Sequence, residues 1–421
     1  MTPIQQVSPP MFSFRRLLQF AGRVALMLLS IGLLLELVTR LVWWNDRPLT
    51  LFDRQIILLP LPLVTEAQVE VLKEWSNNSA NYLQFDHVLG WSIKPSVTAE
   101  WEGNSYTSNN IGLRSLREYD LVAPEGVTRL AAFGPSFTHG DEVQGNETWE
   151  AQLEQARPNL EVMNWGVGGY GTDQAFLRYQ TQGAAYRPDI VIIGFEEDNL
   201  SRNVNRFRPF FRPGTGLPLT KPVFVDIQNG LVLVENPFDN FETFQDTLLN
   251  APDRFLEMLC PHDFFCRRDR YQPLGLDAWH SFRFFRTLLS ELEQPDQSKS
   301  SLIQEPYVQR VNFLLIQMFV EEVISNGSIP LVLIFPELSS IQTHEAGGVT
   351  DYAAAVTLLR EQNIQVIDLA PAFAHDKTTQ NRTYADYYAS EGGHFSALGN
   401  RVVAETLLWH LCSQGLLTNC P

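Results

Sequence analysis

The spacing of apolar residues changes several times along this chain, and each change predicts a different element. Positions 17–44 are mostly apolar, with an uncharged stretch at 24–35, and predict one long helix. Beyond residue 125, short unbroken apolar runs alternate with stretches of helical period. The runs at 130–133, around Val162, at 190–195, at 331–335 and at 364–367 predict strands. Helices are expected from about Thr148, at 308–324, at 352–361 and at 397–411, and Thr172 is expected to N-cap another with Asp173 in its first turn. Runs that are apolar on both faces suit parallel strands covered by helices on both sides. The pattern therefore predicts an α/β fold, a flavodoxin-like three-layer α/β/α arrangement with a doubly wound parallel sheet, plus an N-terminal transmembrane helix.

The same pattern divides the chain. Residues 1–16 are expected to be a cytoplasmic N-terminus, 17–44 a membrane anchor, 45–125 a juxtamembrane lead-in and 126–421 the main domain. Between about 200 and 305 the alternation breaks. There Val223-Phe224-Val225 and Leu231-Val232-Leu233-Val234 flank Gln228-Asn229-Gly230, which predicts a hairpin. The segment is expected to be an insertion that walls the site.

The anchor reading competes with a cleaved signal peptide. A span needs about 20 residues, and the apolar run reaches that length once Arg23, Glu36 and Arg40 are included near its ends. No small-x-small cleavage site follows it, and Trp43 and Trp44 suit a membrane interface. Arg15, Arg16 and Arg23 precede the core, so the positive-inside rule places the main domain outside the cytoplasm as a single-pass membrane protein. The cysteines fit that placement. Cys260 with Cys266 and Cys412 with Cys420 are short-range pairs that read as local disulfides, at spacings unlike zinc sites. With 31 basic against 48 acidic residues the net charge is −17, which argues against nucleic acid as a partner.

Candidate chemistry lies at both ends of the main domain. Ser136 stands in Gly134-Pro135-Ser136-Phe137-Thr138-His139-Gly140, directly after the first strand. The carboxyl edge of such a strand is where open α/β sheets bind ligands. Near the other end, Glu391-Gly392-Gly393-His394 places a carboxylate three residues before a histidine. That carboxylate can hold one ring nitrogen protonated and leave the other as a base. Ser136, His394 and Glu391 thus supply a nucleophile, a base and an orienting acid. Between them lie Asn164-Trp165-Gly166-Val167-Gly168-Gly169-Tyr170-Gly171-Thr172 and Glu196-Glu197-Asp198-Asn199. His139 is taken as pocket wall. The three glycines Gly166, Gly168 and Gly171 also match a dinucleotide fingerprint, but that reading leaves Ser136 and His394 without a role. Ser136 lacks the second glycine of an α/β-hydrolase elbow. No metal-ligand spacing is evident, so neither a metal nor a cofactor is expected.

In order and spacing, these blocks resemble the SGNH/GDSL hydrolase superfamily over roughly residues 85–415, with Asn110-Ile111-Gly112-Leu113-Arg114 upstream. The resemblance implies that Ser136 is the nucleophile, that Gly169 and the Asp198-Asn199 pair form the oxyanion hole, and that Glu391 and His394 complete the triad. It also implies an ester substrate, and the acidic composition with the anchor suggests an acylated envelope polysaccharide or small molecule. Three positions depart from the family pattern. Pro135 replaces the usual Asp, Glu391 replaces Asp, and Asp198-Asn199 inverts Asn-Asp. Asn199 is the expected amide donor, because a carboxylate aimed at the oxyanion would oppose catalysis. The alternatives are an O-acyltransferase of the same fold and a non-catalytic descendant that binds a glycan or a protein.

Overall fold

The computed structural model describes residues 14–44, 49–51, 54–77, 82–101, 103–293, 299–390, 393–417 and 420. The elements used below are α1 (Phe14–Val42), β1 (Thr128–Phe133), α2 (Trp149–Ala156), β2 (Leu160–Asn164), α3 (Thr172–Thr181), β3 (Ile190–Phe195), α4 (His280–Leu292), α5 (Pro306–Ser325), β4 (Ile329–Ile334), α6 (Ala353–Glu361), β5 (Val366–Asp368), α7 (Ala370–Gln380) and α8 (Ala397–Ser413).

Strands β1 to β5 form one parallel sheet in the order β5-β4-β3-β1-β2. This is the flavodoxin order, and the chain reverses its direction of travel at β1. A crevice therefore opens outside the carboxyl ends of β1 and β3. Successive residues of a strand face opposite sides of the sheet, and both sides are buried here. On one side Leu130, Ala132, Ile190, Ile192, Leu331 and Leu333 pack with Trp149 and Leu153 of α2, Phe373 of α7 and Leu407 of α8. On the other, Phe133 meets Tyr179 of α3 and Phe319 of α5 at centroid separations of 5.4 and 6.1 Å. Helices thus cover both faces, as continuous apolar strands require.

Local signals act as expected, with small shifts. Thr148 caps α2 by accepting from the Ala151 N–H at 3.3 Å. Helix α3 begins at Thr172 rather than being capped by it. Its cap is Gly171, whose N–H donates to the Gln174 side chain at 3.1 Å. Val223–Asp226 and Leu231–Val234 pair antiparallel as the hairpin pattern predicts.

The chain divides into two compact units. One holds the described residues of 14–62 and 267–293, and the other holds 63–266 and the described residues from 299 onward. Within the second, Cys260 bonds Cys266 and Cys412 bonds Cys420, with Cα atoms 5.1 and 5.6 Å apart.

Two hairpins ahead of the sheet brace the site. Gly90–Ile93 pairs with Leu83–Asp86, and the Trp91 indole donates to Gly168 O at 3.1 Å while Trp91 O accepts from the Tyr170 hydroxyl at 2.5 Å. Arg178 of α3 donates to Trp165 O and to Gly112 O, both at 2.8 Å. Gly112 has φ +74°, and a Cβ there would lie 2.7 Å from Ile93 O. Only glycine suits that close left-handed turn.

Candidate active site

Ser136 opens a single helical turn, Ser136–His139, just past the end of β1 at the crevice. Pro135 precedes that turn without obstruction, because the first turn has no need of its missing N–H. Gly140, at φ +77°, closes the turn and donates its N–H to Ser136 O at 2.8 Å. The side chain of Phe137 points into the core, its ring 5.8 Å from Phe335 and 4.8 Å from Phe395. Ser136 is 4 % exposed.

His394 reaches the same place from the far end of the chain. It sits on a turn closed by a Tyr388–Phe395 bridge and by the Ala389 N–H donating to His394 O at 2.9 Å. Its ring lies 5.1 Å from that of Phe137, the residue next to Ser136. The structure thus packs the predicted base against the residue that follows the predicted nucleophile.

The acid beside the base is one the sequence patterns did not single out. His394 Nδ1 lies 2.8 Å from Oε1 of Glu142, and Glu142 Oε2 accepts from the Ser390 hydroxyl at 2.9 Å. Glu391 falls outside the described residues. Glu142 has left-handed backbone (φ +67°), and its N–H donates to the Tyr106 hydroxyl at 2.7 Å. A carboxylate can only accept, so Nδ1 carries the proton and Nε2 keeps its lone pair. Burial works against charge on His394, but the Glu142 hydrogen bond and the nearby Asp141, Glu196 and Glu142 charges prevail and raise its pKa. The hydrogen bond from His394 in turn lowers that of Glu142, against a smaller effect of burial. A glance at sequence offers one weak signal for Glu142, its place in a Gly-Asp-Glu run just after the serine turn.

His139 is buried among polar partners. Tyr82 approaches its Nε2 at 2.9 Å, and Asp141 makes a short contact with its Nδ1. The Arg114 guanidinium lies 3.9 Å from the Tyr106 ring centroid and donates to Val143 O at 2.5 Å. Burial, followed by the Arg114 charge, outweighs Asp141 and lowers the His139 pKa to about 4. Neutral His139 thus donates to Asp141 and accepts from Tyr82, as part of the wall. Its unfolded pKa lies near 6.5. The unfolded chain therefore binds more protons than the folded one between pH 6.5 and about 4, and stability falls as pH drops through that window. The urea midpoint of the wild type is expected to fall more steeply there than that of His139→Asn; parallel curves would refute this.

The inverted pair is committed elsewhere. Asn199 is fully buried. Its Oδ1 accepts from the Glu196 N–H at 3.0 Å, and its Nδ2 faces Tyr170 O at 3.5 Å and Thr172 Oγ1 at 3.4 Å. The expected oxyanion donor therefore ties the end of β3 to the loop that carries Gly169. Asp198 accepts from Arg202 at 3.0 Å, with Arg212 3.8 Å away, so its charge is countered. Gly169 has φ +80°, its carbonyl accepts from Arg208 at 2.8 Å, and a Cβ there would lie 2.9 Å from that guanidinium. Burial, then the charges of Arg202 and Arg212, lower the Arg208 pKa to about 9, still cationic at neutral pH. Among the described residues, the N–H groups of Ser136 and Gly169 meet no backbone acceptor. Asn199→Ala strips partners from buried groups and is expected to cost about 1–3 kcal/mol in urea unfolding. A change below a few tenths would show that the amide does not brace the loop.

A cavity of about 540 Å³ lies elsewhere in the same unit, lined by Phe85, His87, Thr181 and Phe241 among others and by none of these site residues.

No protein-family model matches the chain, and no curated protein does. Solved structures do. A lipase/acylhydrolase from Enterococcus faecalis is 12% identical, with 68% of this chain and 97% of that one covered at a TM-score of 0.35. A catalytic mutant of an acetylxylan esterase from Geobacillus stearothermophilus is 12% identical, with coverage of 69% and 96% and a TM-score of 0.34. A member of the lipolytic G-D-S-L family from Veillonella parvula is 10% identical, with coverage of 67% and 97% and a TM-score of 0.34. The chain is similar to SGNH/GDSL hydrolases.

Proposed function

We propose that this protein is a membrane-anchored serine esterase of the SGNH type, acting outside the cytoplasm on an acylated small molecule or envelope polysaccharide. The support is the His394–Glu142 pair, whose ring packs on Phe137, the residue after Ser136, at the carboxyl edge of β1. In this reading Ser136 Oγ attacks the ester carbonyl and passes its proton to His394 Nε2. The backbone N–H groups of Ser136 and Gly169 receive the negative charge on the carbonyl oxygen. His394 then returns the proton to the departing alcohol, leaving an acyl-serine. Water, deprotonated by the same nitrogen, releases the acid and restores the hydroxyl. Asp198 does not oppose the oxyanion because Arg202 counters its charge, and Arg208 adds positive potential behind Gly169.

Retention of the anchor has support within its own unit. Glu36 of α1 accepts from the Ser281 N–H at 2.9 Å and from the Ser281 hydroxyl at 2.7 Å. A leader removed after export would make no such lasting contacts. Helix α1 has 29 residues, and an 18-residue stretch within Arg15–Val42 reaches a mean hydropathy of 2.1.

A fluorophosphonate probe tests the chemistry. It should label Ser136 in the folded wild type and leave Ser136→Ala unlabelled. An intact, folded wild type that takes no label would support a binding-only protein instead.

A further inference from the structure

We infer that the segment 272–292 is a second membrane contact, lying in the lipid interface beside the anchor; this rests on the anchor reading above. Helix α4 turns Phe285, Leu288, Leu289 and Leu292 to solvent, each between 46% and 75% exposed. Their spacing of three, one and three residues makes a single stripe along the helix. The loop before it exposes Leu274, Leu276 and Trp279 as well. A contiguous apolar patch of this kind on a water-facing surface marks an interaction site.

Contacts within the same unit say what covers it. The start of α4 is held on α1 by Glu36, which accepts from the His280 N–H at 3.1 Å and from Ser281. Arg40 donates to Ala278 O at 2.9 Å, and the Trp43 ring lies 5.6 Å from Phe284. Residues 36 to 43 rise about 10 Å along a helix. The start of α4 and the residues just before it therefore lie beside the last two turns of the span, where acyl chains meet headgroups. The opposite face of α4 is fixed to protein. Arg283 donates to Leu59 O at 2.7 Å, and Thr287 Oγ1 accepts from the Leu59 N–H at 3.0 Å. An amphipathic helix at that depth, polar side held and apolar side free, is what a bilayer interface binds. The arrangement also accounts for Glu36. A carboxylate near the end of a span must be satisfied locally, and Ser281, His280 and Arg40 do so.

Lipids brominated on their acyl chains test this directly, because bromine quenches only nearby tryptophans. The full chain is placed in vesicles of phosphatidylcholine with or without brominated chains. Trp279→Phe is expected to remove one part of the quenched emission, and Trp44→Phe, at the end of the anchor, another. Leu288→Glu with Leu289→Glu is expected to abolish the Trp279 part while keeping the Trp44 part and the labelling of Ser136. Quenching of Trp44 with none of Trp279 would overturn the inference and leave the anchor standing; a second protein covering the stripe would give this result. Loss of quenching at both would overturn the anchor, and the inference with it.

Discussion

Ser136→Ala and His394→Ala are each expected to remove nearly all ester turnover, by on the order of 10⁶ in kcat, with the double variant little slower than either. In the proposed mechanism the two side chains act as one unit, so the second loss finds nothing left to remove. Both lie beside Phe137 at the crevice between β1 and β3, and neither is needed to hold the sheet together. Thermal unfolding of each variant should therefore stay close to the wild type. Additive losses would show that serine and histidine do not share one proton path. Full activity in Ser136→Ala would remove the nucleophile from the proposal altogether.

Glu142→Gln carries the second large effect. An amide cannot reproduce the acceptor pair that holds His394 Nδ1–H and Ser390, so the ring loses its tautomer and its charged form loses support. A drop of about 10⁴ in kcat is expected, as when an orienting acid is neutralised elsewhere. The pH profile gives an independent sign. His394 acts as a base only when neutral, and Glu142 helps raise its pKa. The acid limb of kcat/KM should therefore sit above pH 6.5 in the wild type and shift to lower pH in Glu142→Gln. Glu391→Gln should leave both rate and profile nearly unchanged. The reverse ranking would transfer the orienting role to Glu391.

The sheet was legible because its strands are buried on both sides and so read as unbroken apolar runs. The run at 190–195 coincides with β3. Helix α7 was not read, because its pattern Ala370–Gln380 is short, rich in alanine and threonine, and weakly periodic. Ser136 and His394 were singled out because each sits in a short local motif. Glu142 was not. It meets His394 across 252 residues of chain, through a left-handed backbone bend that no local pattern announces. Asn199 shows the converse. Its residue type fits an oxyanion donor, yet only the fold reveals that its amide faces Tyr170 and Thr172.

Ser136 and Glu142 leave the ribosome almost together, six residues apart, while His394 follows far behind them. On the proposed function, a chain still being made thus carries a serine hydroxyl with no base to take its proton. That base arrives only when the turn closed by Tyr388 and Phe395 docks, directly before α8. On the proposed function, a chain cut short before that turn would hold Ser136 without its base and could not attack an ester.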